Sequence, residues 1–159
     1  IGKRVRFHQN VAAAGRTPAK EILSIETRLA SPAERDALKL DETQFIHAYD
    51  GLSLADGQPI GLFCAVFPAA RFPALPDALR GSGSVTAALR SAGVEDYTRS
   101  WTRLTAKAAT ATQALHLRIA EGAPILRSGG GNVDREGRPV EYGRTWFSGD
   151  RVTLTLDGS

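Results

Sequence analysis

Three groups of residues in this 159-residue chain have the types and spacing to hold a charged small molecule. The first is Gly81-Ser82-Gly83-Ser84-Val85-Thr86, a glycine-rich stretch running into a helix start. Backbone N–H groups there meet the positive end of a helix dipole, and the Ser84 and Thr86 hydroxyls add donors, so an anion fits. Ser84 equally fits a plain N-cap. The second is the pair Arg99 and Arg103, which regular alternation over residues 97–104 puts on one strand face. Two guanidinium groups suit a phosphate or phosphonate, cross-strand ion pairing being their alternative use. The third is Glu141, in Pro-Val-Glu-Tyr-Gly-Arg-Thr-Trp-Phe. Alternation groups Glu141, Gly143, Thr145 and Phe147 on one face and Tyr142, Arg144 and Trp146 on the other. Glu141 is then either an exposed sheet residue or an acceptor for a ligand's hydroxyl or amine.

Catalytic constellations are missing. His8, His47 and His116 fall on separate elements, with neither His-Glu-x-x-His nor Cys-x-x-Cys spacing, so we assign no metal ligands. No Gly-x-Ser-x-Gly elbow and no Gly-Lys-Ser/Thr phosphate loop occurs, so we assign no catalytic residue and no cofactor. Gly129-Gly130-Gly131 lies within a strand, where glycines mark a bulge or a close backbone approach.

These groups must be positioned by elements the sequence announces. Residues 21–29 alternate as a strand, and Ser31-Pro32-Ala33-Glu34 then supplies an N-cap, a proline at the first helical position and a capping-box glutamate. Residues 45–54 and 59–67 read as strands of a hairpin turned by Asp56-Gly57. Residues 71–80, with two prolines, read as irregular, 81–84 as a flexible loop, and 85–92 as a helix opened by Ser84 and closed by Gly93. The second half repeats the first: Thr27-Arg28-Leu29 recurs as Thr102-Arg103-Leu104, Ala37-Leu38-Lys39-Leu40 as Ala114-Leu115-His116-Leu117, and Gly57-Gln58-Pro59-Ile60 as Gly137-Arg138-Pro139-Val140. Two strand-helix-hairpin units predict an α+β fold with a mainly antiparallel six-stranded sheet and flanking helices. Residues 151–156 add a last strand, a candidate exposed edge.

Composition bounds the rest. The length fits one domain, and 42% hydrophobic with 23% charged residues excludes a disordered or collagen-like polymer. Apolar runs such as residues 60–66 fall short of the roughly 20 residues of a membrane span. Cys64 is the single cysteine, so no internal disulfide forms and a reducing, cytoplasmic setting suits the chain. The net charge of +3 is spread evenly, which argues against a nucleic-acid surface here. With no methionine and Ile1 at the start, the chain reads as the C-terminal portion of a longer protein.

Six stretches in order carry a resemblance: residues 54–60; Phe67-Pro68 with Arg71-Phe72-Pro73; Gly83-Ser84-Val85-Thr86; Glu121-Gly122-Ala123-Pro124-Ile125-Leu126; residues 134–142; and Gly149-Asp150-Arg151-Val152. Together they resemble the UTRA domain, the effector-binding half of GntR-type bacterial transcription regulators of the HutC subfamily, with a chorismate-lyase-like fold. Residues 4–10 and Asp96-Tyr97-Thr98-Arg99 are most similar to regulators of phosphonate uptake and degradation.

The resemblance implies one UTRA-type domain over residues 1–159, a winged helix-turn-helix upstream that carries DNA binding, a homodimer, and a small anionic effector, a phosphonate or phosphorylated metabolite. It places the effector against His8 and Asn10, against Ser84, Val85 and Thr86, and against Glu141 and Phe147, with Arg99 or Arg103 as counter-charge. Sugar-phosphate-sensing members carry two arginines where this chain has Gly51 and Ser53, and a glutamate where it has Phe63, so that side of the site is expected to be smaller or less charged. The competing classes are a chorismate-lyase-like enzyme and a structural dimerisation module.

Overall fold

The computed structural model describes residues 5–11 and 16–158, with side chains from 16 to 155. Two copies of one unit build it. The first runs β2 (Pro18–Leu29), α1 (Pro32–Leu38), β3 (Phe45–Ala55) and β4 (Gln58–Pro68); the second runs β5 (Thr98–Ala108), α4 (Ala111–Leu117), β6 (Pro124–Val133) and β7 (Pro139–Ser148). Helices α2 (Leu75–Ser82) and α3 (Val85–Ser91) join them. Strands β1 (Val5–Val11) and β8 (Val152–Gly158) form a separate two-stranded ribbon.

The main sheet is antiparallel in the order β2-β3-β4-β7-β6-β5, so the units meet at β4 and β7 and their first strands form the two edges. This is the predicted α+β architecture. The first hairpin turns at Asp56 and Gly57, both at positive φ (48° and 78°), as the Asp-Gly pair leads one to expect. Helix α1 carries the Ser31/Glu34 capping box and α4 the matching Thr110/Gln113 box, and each ends on a left-handed residue, Lys39 or Arg118. These matches lie 79 residues apart. The duplication is therefore one of elements, and the words at offsets 75 and 77 match out of register; the glycines of the two turns, Gly57 and Gly137, stand at the offset of 80 that the sequence indicates.

Alternation then sorts the layers. Cys64 and Val66 face α1 in a cluster with Ile46, Ala48, Leu38 and Tyr142, while Leu62 and Trp146 on the same face pack under α4 with Ala114 and Leu117. On the opposite face Tyr49, Ala65 and Phe67 meet Phe72, Leu75, Leu79 and Leu89 of the α2–α3 segment. Each such large side chain stabilises the fold by about 1.5–3 kcal/mol on burial.

The structure corrects the sequence reading at 71–84. Residues 75–82 are helical, with Pro76 in the first turn, where a missing N–H costs nothing. Gly81 and Ser82 form the last turn, and Gly83 caps it at φ 65°. Strand β8 has one edge taken by β1, which pairs antiparallel with it, so residues 151–156 are no free edge on both sides. No described helix is long and apolar enough to cross a membrane.

Candidate functional site

A row of missing side chains makes the cavity. The register sets Tyr49 opposite Ala65, Ala65 opposite Gly143, and Gly143 opposite Gly130, so three central strands present almost nothing above the sheet on the α2–α3 face. The next row, Phe63, Thr145 and Ser128, supplies a ring and two hydroxyls. The result is a cavity of about 260 Å³, also lined by Lys20, Ser53, Val85, Arg99, Glu141 and Phe147. A Cβ on Gly130 would meet the Arg99 guanidinium, so the guanidinium keeps its place over β6 only because residue 130 has no side chain. Gly131 is bound likewise by the Trp101 indole on the other face, so this glycine run is a place of close approach, as its position in a strand suggests.

Three polar side chains form a chain along one wall. Arg99 Nε donates to Asn132 Oδ1 (2.9 Å) and its Nη1 donates to Thr102 Oγ1 (3.2 Å); Asn132 Nδ2 donates to Glu141 Oε1 (2.8 Å). A guanidinium can only donate and a carboxylate only accept, so the Asn132 amide has one permissible orientation. Glu141 Oε2 leans over the floor, 3.9 Å from where a Cβ on Gly143 would stand. Burial raises the Glu141 pKa above the ordinary carboxylate value; the Asn132 hydrogen bond and the charges of Arg99 and Lys20 oppose that rise without cancelling it.

The opposite wall is aromatic. Tyr49 and Phe63 pack edge to face, centroids 5.1 Å apart, and the Lys20 ammonium lies 5.6 Å from the Phe63 centroid. The Tyr49 hydroxyl is buried and has no hydrogen-bond partner among the described residues, an arrangement that costs about 1–3 kcal/mol. Burial also raises its pKa. Burial, then the charge of Asp50, pushes the Cys64 thiol up to about 11, so it stays protonated and unreactive at neutral pH.

The structure separates the residues expected at the site. Ser53, Val85, Arg99, Glu141 and Phe147 line the one cavity. Ser84 is the plain N-cap: its hydroxyl accepts from Ala87 N–H at 3.2 Å, and it does not line the cavity. The Thr86 hydroxyl is exposed and bonded to Tyr97 Oη (2.7 Å), also outside it. Arg103 is a correction. A bulge at Ser100 shifts the β5 register between Arg99 and Trp101 and flips the alternation, sending Arg103 to the opposite face. There it sits 5.1 Å from the Trp101 ring and lines a different cavity of about 440 Å³ beside α1. His8 and Asn10 belong to β1, opposite Thr155 and Thr153, and their side chains lie outside the described ones.

Sequence reasoning missed Lys20, Tyr49 and Asn132. Only pairing across strands brings them to the cavity, although Asn132 beside three glycines was a visible sign. Gly51 lies outside the cavity lining, and a Cβ there would meet the Phe63 ring and the Glu21 carbonyl. That side is nevertheless charged, because Lys20, opposite Ser53, brings a cation to it. Among the described residues no three His, Cys, Asp or Glu side chains are grouped to hold a metal ion.

Relatives place this geometry. An uncharacterised HTH-type transcriptional regulator of Rhizobium meliloti (strain 1021), RB1450, is 33% identical over 157 residues, 99% of this chain, and the chain spans 64% of that protein's length. PhnF from Mycobacterium smegmatis superposes with a TM-score of 0.81 at 23% identity, over 89% of this chain and 62% of PhnF; its separately solved effector domain gives 0.79 over 87% and 85%. A GntR-family regulator from Enterococcus faecalis V583 superposes at 0.75, with 23% identity, over 87% and 99%. The UTRA domain model matches residues 13–153, which include all the described residues of the cavity and both repeated units, so the chain belongs to the UTRA domain family.

Proposed function

We propose that this chain is the effector-binding domain of a GntR-family transcriptional regulator, and that its cavity takes a small anion, a phosphonate or related phosphorylated metabolite. The observation that carries this reading is a cavity of about 260 Å³ that gathers Lys20 and Arg99, neither of them ion-paired among the described residues, and Arg144, which is paired with Glu34, with hydroxyls from Ser53, Ser128 and Thr145. Likeness to an effector domain and to an HTH-type regulator supports the regulatory half. The similarity of residues 96–99 to phosphonate regulators supports the ligand class.

In the full-length protein, DNA binding belongs to a helix-turn-helix domain outside this chain, and two copies assemble as a homodimer in the cytoplasm. The effector then acts through its difference in affinity for the DNA-competent and incompetent arrangements. The domain is not an enzyme in this reading: the Cys64 thiol packs toward α1 and stays protonated, and no base adjoins a nucleophile among the cavity's lining residues. Calorimetric titration with a panel of phosphonates and phosphate esters is the test, and binding by at least one is expected. Silence from all of them beside a response to a non-phosphorus acid such as urocanate overturns the ligand class and leaves the domain assignment standing. Turnover of chorismate overturns the non-enzymatic reading.

A further inference from the structure

The cavity's charged and unpartnered polar groups divide into donors and a single acceptor, with both cations close enough to act on Glu141, which deepens the preceding reading and rests on it. Lys20 enters from edge strand β2 and Arg99 from the opposite edge strand β5, with only Ala65, Gly143 and Gly130 beneath the space between. Among the described residues the Lys20 ammonium has no hydrogen bond or close ion pair; it lies over the Phe63 ring, and its charge acts on Glu141. Arg99 is fixed by Asn132 and Thr102 through Nε and Nη1, and its Nη2 has no described protein partner. Tyr49, itself fully buried, lines the same cavity with a hydroxyl that no described protein atom satisfies. All three can donate. Glu141 alone can only accept, and Asn132 occupies one of its oxygens while the other leans over the Gly143 floor.

The geometry points to Lys20, Arg99 and the Tyr49 hydroxyl as the groups that receive an oxyanion, and to Glu141, aimed by Asn132, as the acceptor for an ammonium on the same ligand. The occupant is thus a small zwitterion, a tetrahedral oxyanion joined by a short chain to an amine. Charge supports this assignment. Arg144 also lines the cavity but is paired with Glu34, so Lys20, Arg99 and ionised Glu141 leave a net +1, and a phosphonate or phosphate-ester dianion bearing one ammonium is a net −1. An oxyanion without the amine leaves Glu141 ionised, half-buried and facing like charge. Asn132 is a positioning residue: it touches no ligand in this scheme and sets the direction of Glu141 and Arg99 together.

Titration calorimetry on the wild-type chain with 2-aminoethylphosphonate, phosphoethanolamine and ethylphosphonate tests the ligand class. The first two share the zwitterionic chemistry and separate a phosphonate from a phosphate ester; the third lacks the amine. Tighter binding of either amine, by about tenfold over ethylphosphonate, is expected. The residue assignments are tested with Tyr49→Phe and Lys20→Met. Tyr49→Phe is expected to bind the amine about fivefold more weakly while its ligand-free melting temperature holds or rises, because the change removes an unpartnered hydroxyl. A purely structural tyrosine gives the reverse pattern. Lys20→Met, at an exposed edge position, is expected to lose tenfold or more with no change in melting temperature. Asn132→Leu removes the bridge between Arg99 and Glu141 and is expected to weaken the preference for the amine. Wild-type binding that ignores the amine, or variants that bind as wild type does, overturn this inference and leave the effector reading intact. A wild-type chain silent to all three probes and to the wider phosphorus panel overturns both.

Discussion

Two carboxylates, Glu34 on α1 and Glu141 on β7, are taken out of water and their pKa values move in opposite directions. Glu34 accepts both Arg28 guanidinium nitrogens (2.7 and 2.9 Å), the Ser31 amide at 2.8 Å and Arg144 Nη2 at 3.3 Å. Burial alone would raise its pKa, but the Arg28 and Ser31 hydrogen bonds outweigh burial and bring it from 4.5 to about 2. A depressed folded pKa means stability that is complete above about pH 4.5 and lost as the pH falls toward 2. Glu34→Gln is therefore expected to lower the melting temperature at pH 7 and to lessen the pH dependence below 4.5, as thermal melts across pH 2–7 will report. Glu141 has the reverse sign. Its raised folded pKa penalises the ionised form, and that penalty disappears as the pH falls through the raised value. Glu141→Gln is accordingly expected to hold or raise the ligand-free melting temperature at pH 7 and to weaken an amine-bearing ligand roughly tenfold. The same protonation makes wild-type affinity for such a ligand fall on acidification, starting above the ordinary carboxylate range.

At the scale of elements, the cavity is a consequence of strand composition. Gly143 could accept a Cβ with nothing closer than Glu141 Oε2 at 3.9 Å, so Gly143→Val is expected to fold and to block binding by filling the floor. Circular dichroism together with calorimetry checks both halves of that statement. Helix α2 packs on the same sheet face, where Leu75 and Leu79 are fully buried against Tyr49 and Phe67. Leu79→Ala is expected to cost about 2–5 kcal/mol in denaturant unfolding. The sequence reading left α2 out because prolines at 73 and 76 look like breakers; one precedes the helix and the other sits in its first turn, and only packing against the sheet distinguishes that from a loop. Strand β5 shows the opposite difficulty. Its alternation is regular in sequence, yet the bulge at Ser100 reverses it and separates Arg99 from Arg103, a break set by pairing with Asn132 and Gly131 on β6.

For the molecule as a whole, the joint between units matters most. The cluster of Ile46, Ala48, Cys64, Val66 and Tyr142 spans β3, β4 and β7, and so belongs to neither unit alone. Residues 98–158 expressed separately are expected to give the far-ultraviolet spectrum of an unfolded chain, because β7 loses its pairing with β4 and the cluster that spans the two. The sequence alone determined the two strand-helix-hairpin units, the N-caps of α1 and α3, and the face shared by Glu141, Gly143, Thr145 and Phe147, since each follows from interactions within a few residues or from the strand period of two. Tertiary structure decided which cations meet that face. Lys20, Tyr49, Arg99 and Asn132 come from four strands and converge only once register and one bulge are fixed, and those depend on contacts between residues as much as 121 positions apart.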